Sequence, residues 1–173
     1  PRWTGPTVVL GGGNTAIDAS AVALRLGSSK VTIAYRRGAA EMPAWLEHRH
    51  FALEEGVELM FLRVPVEILG ADGRVSGVRL QVSLLGVPDA SGRAQAIPVE
   101  GAFEEIPCQQ VVLALGNDLD SGWQTLGIDA GPKGPQVDPE TMQTSRPGVY
   151  AGGDLVNGGA TVVQAVAEGR RRY

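Results

Sequence analysis

Residues 7–16 read TVVLGGGNTA, a short β-branched run that leads directly into three glycines. The apolar residues 7–10 predict a buried strand. Residues 17–26 are rich in alanine and leucine and predict a helix, which Gly27 is well suited to end. Residues 30–35, KVTIAY, predict a second strand. The chain therefore begins with a strand, a glycine turn, a helix and a second strand, spaced as in a dinucleotide-binding βαβ unit.

The glycine turn matches the pattern G-x-G-x-x-A at Gly11, Gly13 and Ala16. Gly11 allows a sharp turn, Gly13 lets a pyrophosphate approach the main chain, and Ala16 allows the helix to pack closely on the strand. The N–H groups at the start of the helix are available to a phosphate. The predicted nucleotide-binding residues of this turn are Gly11, Gly12, Gly13, Asn14 and Thr15. The alternative is a glycine-rich turn that binds no ligand.

Two arginines, Arg36 and Arg37, follow the second predicted strand. Sites for NAD usually carry Asp or Glu at this place to bind the ribose hydroxyls, and the first carboxylate after the strand is Glu41. Two guanidinium groups instead suit a 2′-phosphate through charge-assisted, often bidentate, hydrogen bonds. We therefore predict that the chain binds NADPH. The alternative is that both arginines are ordinary solvated residues.

The middle of the chain departs from a plain alternation of strands and helices. A helix is predicted to begin at Pro43, with Trp45 and Phe51 in the core, and residues 57–62 predict a third strand. The helical period then disappears, and the pattern predicts an antiparallel meander. Its strands are residues 66–69, 75–85 and 96–99, separated by turns at residues 70–73 and 88–92.

Residues 110–116 form an apolar strand that ends in glycine and is expected to return to the central sheet. Gly116, at its end, is a further predicted nucleotide-binding residue. The predicted fold class is therefore α/β, a Rossmann-like three-layer β-β-α domain with a parallel central sheet and an antiparallel meander.

Composition excludes several classes of function. The chain has 173 residues and a net charge of −4, which argues against general nucleic-acid binding. Cys108 is the only cysteine, so this chain alone can form no disulfide, CxxC pair, zinc site or iron–sulfur cluster. There is no apolar run of membrane-spanning length and no visible signal peptide. We expect a cytoplasmic protein that binds neither nucleic acid nor membrane, and we predict no metal site.

Several motifs together resemble the small subunit of NADPH-dependent glutamate synthase. They are residues 11–18 (GGGNTAID), 35–37 (YRR), 41–44 (EMPA), 54–57 (EEGV), 85–86 (LG) and 88–92 (PDASG). Relatives of that family include dihydropyrimidine dehydrogenase and the wider glutathione-reductase-like flavoproteins. The resemblance implies that residues 1–116 are an NADPH-binding domain inserted in an FAD-binding domain, and that residues 117–173 are the returning segment of that FAD domain. The chain starts at Pro1 and stops within a helical pattern, so we expect it to be part of a longer polypeptide.

Residues 144–154, TSRPGVYAGGD, look like the second FAD motif of this family. The resemblance implies that Asp154 binds the ribityl–phosphate region of FAD and that Gly152 and Gly153 let the flavin come close. It also implies a strand at residues 149–151 and a helix over residues 160–166 whose N-terminus points at the flavin. The FAD-binding residues implied in this way are Gly153, Asp154, Thr161 and Val162.

The implied activity is that of a flavin-dependent oxidoreductase, in which hydride passes from NADPH to FAD and electrons pass to a partner subunit or domain. No catalytic acid, base or nucleophile is required in this chain. The family's first FAD motif is absent, so we expect that this chain alone is inactive and leaves Val162, Val163 and Val166 without their usual packing. Two alternatives remain open, a dithiol reductase of the thioredoxin reductase type and a non-enzymatic NADP(H)-binding module.

Overall fold

The computed structural model describes residues 3–88, 94–116 and 119–171. The chain divides into two compact units, Pro1–Gly116 and Asn117–Tyr173, which are called the first and the second unit below. Within the described residues, no helix combines the length and the apolar character needed to span a bilayer.

The first unit is a mixture of helices with parallel and antiparallel strands. In chain order its described elements are β1 (Pro6–Leu10), α1 (Asn14–Leu26), β2 (Lys30–Tyr35), α2 (Leu46–Glu54), β3 (Glu58–Phe61), β4 (Arg63–Ala71), β5 (Arg74–Pro88), β6 (Ala94–Pro107) and β7 (Gln110–Leu113). Helix α1 ends at Gly27, whose φ of 105° is the left-handed conformation that glycine favours. The predicted βαβ opening is confirmed.

Four strands form a parallel sheet in the order β3-β2-β1-β7. Leu10 at the end of β1 is in register with Ala34 on one side and with Leu113 on the other. The carboxyl ends of the strands therefore meet at one edge of the sheet, where the glycine turn, the two arginines and the residues after β7 come together. The return of residues 110–113 to the central sheet is as predicted.

The remaining strands form an antiparallel sheet in the order β4-β5-β6. Asp72 and Gly73 connect β4 to β5, and both have positive φ values, 54° and 72°. A two-residue Asp-Gly connection with two positive φ values is the hairpin turn that suits the twist of paired strands. The predicted meander is thus confirmed. Its second predicted turn, at residues 88–92, falls almost wholly outside the described residues.

The core has two layers, one on each face of the parallel sheet. Val9 and Ile33 face α1, where they pack with Ala16 and Ile17. Their neighbours along the strands point the opposite way, since side chains alternate between the faces of a sheet. On that second face, Val8, Leu10 and Ala34 pack against Val78, Leu80 and Cys108. Helices, parallel sheet and antiparallel sheet are therefore stacked in the predicted three layers.

The prediction that a helix begins at Pro43 is wrong, because α2 begins only at Leu46. The N–H of Ala44 donates to the carbonyl of Gly12 at 3.0 Å, and the N–H of Trp45 donates to Asn14 Oδ1 at 3.0 Å. These bonds hold the chain extended across the glycine turn. The predicted core positions of two aromatic residues are also wrong. Trp45 and Phe51 are 57% and 52% exposed, since the short helix packs through the small side chain of Ala52.

The second unit contains little regular structure in its described part. A 3₁₀ helix spans Ser121–Leu126, and two α-helices follow, α3 (Asp154–Asn157) and α4 (Val162–Arg170). The strand implied at residues 149–151 is not present in the described structure, where Tyr150 pairs with Gln143 in an isolated antiparallel bridge.

The expected helix near residue 160 is present, although it begins two residues later than predicted, at Val162 after Thr161. Thr161 Oγ1 accepts a hydrogen bond from the N–H of Gln164 at 3.2 Å, which caps the helix and sets its start. Three valines of α4 are exposed as expected, by 80%, 79% and 52%. They are Val162, Val163 and Val166.

Candidate functional site

A cleft of about 510 Å³ opens at the carboxyl edge of the parallel sheet. In open α/β sheets this edge is where ligands bind, and the volume is that of a site for a small molecule or cofactor. Apart from Asn14, all the residues predicted to bind the nucleotide line this cleft. They are Gly11, Gly12, Gly13, Thr15, Arg36, Arg37 and Gly116.

The three glycines of the turn differ in what they contact. A β-carbon built on Gly11 would overlap the carbonyl oxygen of Ala114, and one built on Gly12 would overlap the ring of Tyr35. Gly13 has extended backbone, φ −85° and ψ 177°, and no atom lies within 4 Å of a β-carbon built there. The fold therefore needs glycine at the first two positions. At Gly13 the fold leaves room for a side chain, so glycine is needed there only if a ligand occupies that space.

Helix α1 begins directly after Gly13, which has no side chain to cap it. The first amides of the helix therefore keep their donors free of a side-chain partner, with the positive end of the helix dipole beside them. Thr15 lines the cleft. The side chain of Asn14 instead accepts the Trp45 N–H and stays out of the lining, so a contact from Asn14 to a nucleotide would have to use its main chain.

The two arginines at the end of β2 have different surroundings. Arg37 is half-buried, and its Nε donates to the carbonyl of Ala94 at 2.8 Å, which ties the side chain to the start of β6. Arg36 is exposed, and its guanidinium forms no hydrogen bond or ion pair with the part of the chain that the structure describes. This end of the cleft therefore carries two guanidinium groups, one tied to β6 and one without such a bond among the described residues.

Sequence reasoning missed several residues that complete the cleft. Tyr35 is buried beneath Gly12, and its hydroxyl donates to the carbonyl of Glu41 at 2.8 Å. Its position directly before Arg36 could have indicated it. Pro43, Val64 and Pro65 also line the cleft. Pro43 lies in the extended segment before α2, and the other two lie in β4 of the antiparallel sheet. No local pattern marks them, because only the folded packing brings them to this edge.

A second hollow, of about 420 Å³, lies at the N-terminus of α4 in the second unit. Three of the residues implied to bind FAD line it, Asp154, Thr161 and Val162. Asp154 Oδ1 accepts a hydrogen bond from the N–H of Ala160 at 3.3 Å, which joins the start of α3 to the segment before α4. Gly153 is buried and does not line the hollow.

Gly153 has a conformation that only glycine adopts readily, with φ 66° and ψ −150°. Its N–H donates to Glu168 Oε2 at 2.6 Å. This bond, with a further one from the Gln164 amide, holds the pKa of the Glu168 carboxyl below its ordinary value. Glu168 was not predicted from the sequence, where it reads as one more charged residue of a surface helix.

Cys108 is 2% exposed and lies in the core between the two sheets of the first unit. Burial raises the pKa of its thiol, so the reactive thiolate is disfavoured. This thiol is therefore a packing residue. The described residues also contain no group of three or more His, Cys, Asp or Glu placed to hold a metal ion.

The chain is similar to known oxidoreductases along nearly its whole length. It is 44% identical to the NADP(+)-dependent formate dehydrogenase subunit beta of Moorella thermoacetica, over 99% of this chain and 24% of that protein. It is 42% identical to the glutamate synthase [NADPH] small chain of Halomonas elongata, over 95% of this chain and 36% of that protein. The second of these relatives confirms the resemblance that the motifs indicate. The chain spans about a quarter of the first relative's length and about a third of the second's.

Solved structures show the same fold. Thioredoxin reductase of T. acidophilum matches with a TM-score of 0.75 over 96% of this chain and 50% of that one, at 21% identity. The likeness therefore concerns the fold and leaves the chemistry open. A family model described as pyridine nucleotide-disulphide oxidoreductase matches residues 3–169. This match includes the glycine turn at residues 11–13 and the Gly-Gly-Asp motif at residues 152–154. The chain is thus a member of the pyridine nucleotide-disulphide oxidoreductase family.

Proposed function

We propose that this chain is the NADPH-binding part of a flavin-dependent oxidoreductase of the glutamate synthase small-subunit type. Residues 1–116 form the NADPH-binding domain, and residues 117–173 are the returning segment of an FAD-binding domain in a longer protein. The observation that carries the proposal is the cleft at the carboxyl edge of the parallel sheet, where open space over Gly13 adjoins two guanidinium groups.

The glycine turn fits the pyrophosphate of a dinucleotide. Gly13 leaves room for the phosphates to approach the main chain, and the first amides of α1 donate toward that room. Gly11 and Gly12 keep the turn pressed against Ala114 and Tyr35, so it is formed before a ligand arrives. A turn that is ordered in advance loses less entropy on binding.

Arg36 and Arg37 fit the 2′-phosphate that distinguishes NADPH from NADH. Arg37, bonded to Ala94, offers a guanidinium at a set position, and the exposed Arg36 would contact the phosphate from the solvent side. A guanidinium group suits this task because it can contact a phosphate through two parallel hydrogen bonds. The names of the two relatives quoted above, which specify NADP(+) and NADPH, support the same choice.

The second hollow fits a flavin cofactor in its chemistry. Its lining includes two alanines, Ala160 and Ala165, and the amides at the start of α4 favour negative charge. Asp154, which lines the hollow, would accept hydrogen bonds from the cofactor's hydroxyl groups, with Thr161 and Val162 contacting it at the helix start. When both cofactors are bound, the nicotinamide and the flavin supply the hydride transfer. The chain's own residues bind and orient them.

The electron acceptor is proposed to be a partner subunit or domain, since relatives of this chain are named as subunits. A dithiol acceptor within this chain is disfavoured, because Cys108 is buried and its thiol has a raised pKa. Cytoplasmic location stays a prediction from the sequence.

Two measurements test the proposal. Calorimetric titration of the chain with NADPH and with NADH should give an affinity at least about tenfold higher for NADPH, from the charge-assisted phosphate bonds. The full-length protein should show flavin absorbance and should oxidise NADPH with dye acceptors. Equal affinities for the two nucleotides would contradict the assigned specificity. A full-length protein that binds NADPH without a flavin would favour the non-enzymatic module instead.

A further inference from the structure

Glu168 is the one charged side chain that is buried in the described part of the chain, with 7% of its surface exposed. Buried carboxylates are costly unless hydrogen bonds replace the lost water. The residue lies near the end of α4, where a helix on the surface would ordinarily present glutamate to solvent. Its burial therefore calls for a role that an exposed glutamate could not fill.

Both oxygens of the Glu168 carboxylate accept hydrogen bonds. Oε2 accepts the N–H of Gly153 at 2.6 Å. Oε1 accepts the side-chain amides of Gln164 at 3.0 Å and of Asn157 at 3.4 Å. One carboxylate thus joins three segments of the second unit, namely the turn at residues 152–153, the end of α3 and the first half of α4.

The turn at residues 152–153 lies directly against α4. A β-carbon on Gly152 would come within 3.3 Å of Glu168 Cβ, and one on Gly153 within 3.3 Å of Ala165 Cβ. Gly153 has a φ of 66°, one of several conformations that glycine adopts readily, so a hydrogen bond is needed to select it. Asp154 follows immediately, so the direction in which its carboxylate points depends on how Gly153 is held.

We propose that Glu168 is a positioning residue for the flavin-facing turn. It does not line the hollow, and it acts by fixing Gly153 and thereby Asp154, the residue placed to bind the cofactor's hydroxyl groups. This inference rests on the proposed function of the second unit as part of an FAD site. A carboxylate suits the task because it accepts from a main-chain N–H with one oxygen while the other is anchored by two side chains.

The test compares Glu168→Ala and Glu168→Gln in the full-length protein, with Glu140→Gln as the control. Glu140 is an exposed glutamate of the same unit. The quantities measured are the dissociation constant for FAD, from flavin fluorescence on reconstitution of the apoprotein, and the dissociation constant for NADPH. We expect Glu168→Ala to weaken FAD binding roughly tenfold or more, the usual scale for losing a hydrogen bond to a charged group.

Glu168→Gln should lie between Glu168→Ala and the wild type, since its amide oxygen can still accept from Gly153 while its NH₂ group cannot accept from Gln164 or Asn157. The control and all NADPH affinities should match the wild type. Wild-type FAD affinity in both Glu168 variants would overturn the inference while leaving the proposed function intact. Failure of the wild-type protein to bind FAD would overturn the proposed function itself.

A readout that needs no flavin uses the isotope-labelled chain itself. The Gly153 amide proton, bonded to a carboxylate at 2.6 Å, should resonate far downfield and move upfield in Glu168→Gln. An unchanged Gly153 resonance in a folded variant would mean that the bond does not hold the turn, and would overturn the inference independently of FAD binding.

Discussion

The chain has two glycine turns at the start of helices, and they are held in place by different means. The turn at residues 11–13 is pressed between strands, with Ala114 on one side and the ring of Tyr35 on the other. The turn at residues 152–153 has no sheet behind it in the described structure. It is held by a carboxylate from α4, Glu168, and by the close approach of Ala165.

The two turns therefore depend on different interactions. The first turn is backed by a core of fully buried strand residues, and its geometry should survive most changes of solvent and pH. The second depends on hydrogen bonds to one ionisable group in a unit whose helix α4 exposes three valines. These are Val162, Val163 and Val166. We therefore expect the first turn to be disrupted by added side-chain bulk and the second by neutralisation of the Glu168 carboxylate.

The largest expected effect is on nucleotide binding in Gly13→Val. The extended backbone at Gly13 suits valine, and a side chain there meets no protein atom. It would occupy the space assigned to the pyrophosphate, so affinity for both NADPH and NADH should fall by about a hundredfold or more, from a clash of roughly 3 kcal/mol. Calorimetry measures the affinities, and thermal unfolding should show an unchanged first unit.

Gly12→Ala is the matched control for that prediction. Its methyl group would overlap the Tyr35 ring, so this variant should lose about 1–3 kcal/mol of stability. If Gly13→Val were the less stable of the two, or bound NADPH normally, the open space over Gly13 would not be the ligand's.

The next largest effect is expected for Arg36→Ala combined with Arg37→Ala. NADPH affinity should fall roughly 10- to 100-fold for the loss of charge-assisted bonds, while NADH affinity should change little. The single variants sharpen the result. Arg37→Ala should also loosen β6, because its Nε bond to Ala94 is lost, whereas Arg36→Ala should leave stability unchanged. Parallel losses for NADPH and NADH would assign the arginines to the fold or to the pyrophosphate.

A smaller effect, confined to the second turn, is expected from pH. Folding lowers the pKa of Glu168, so its contribution to stability is complete above the ordinary glutamate pKa of about 4.3 and is lost as pH falls through the lower folded value. The protection factor of the Gly153 amide, which is the exchange rate of an unstructured amide divided by its own rate at the same pH, should therefore fall on acidification below that range. Asp138 also has a lowered pKa and shifts the same way, so Glu168→Gln is compared directly with wild type to cancel it.

In that comparison the wild type should lose protection of the Gly153 amide at low pH. Glu168→Gln, whose side chain does not titrate, should show weaker protection than the wild type near neutral pH and little change on acidification. Amides of β1 in the first unit serve as the internal reference. Equal acid sensitivity of the two turns would remove the distinction drawn above.

The smallest effect is expected for Cys108→Ala. Its thiol lies between the two sheets, and removing it should cost about 1 kcal/mol of stability, as a small change in a packed core does. NADPH oxidation by the full-length protein should change less than about twofold, because the residue packs and takes no part in electron transfer. A complete loss of activity in a stable variant would revive the dithiol reductase alternative.

Much of the fold of the first unit could be predicted from local patterns. Residues 7–10 and 30–35 are apolar runs with abrupt ends, and Asp72-Gly73 is a turn that few other residue pairs can form. The start of α2 could not be predicted in this way. Pro43 is a good first residue for a helix, but the glycine turn takes up the N–H groups of Ala44 and Trp45 first.

Features encoded by consecutive residues could be located from the sequence. They are the glycine turn before α1, the arginines after β2 and the Gly-Gly-Asp motif before α3. Which side chains of these features remain available to a ligand depends on long-range packing. Arg37 is tied to Ala94, 57 residues away, and the Asn14 side chain to Trp45, 31 residues away. Glu168 holds Gly153 across 15 residues. Such bonds join parts of the chain that meet only after the sheets and helices have packed, so they cannot be predicted from a local sequence pattern.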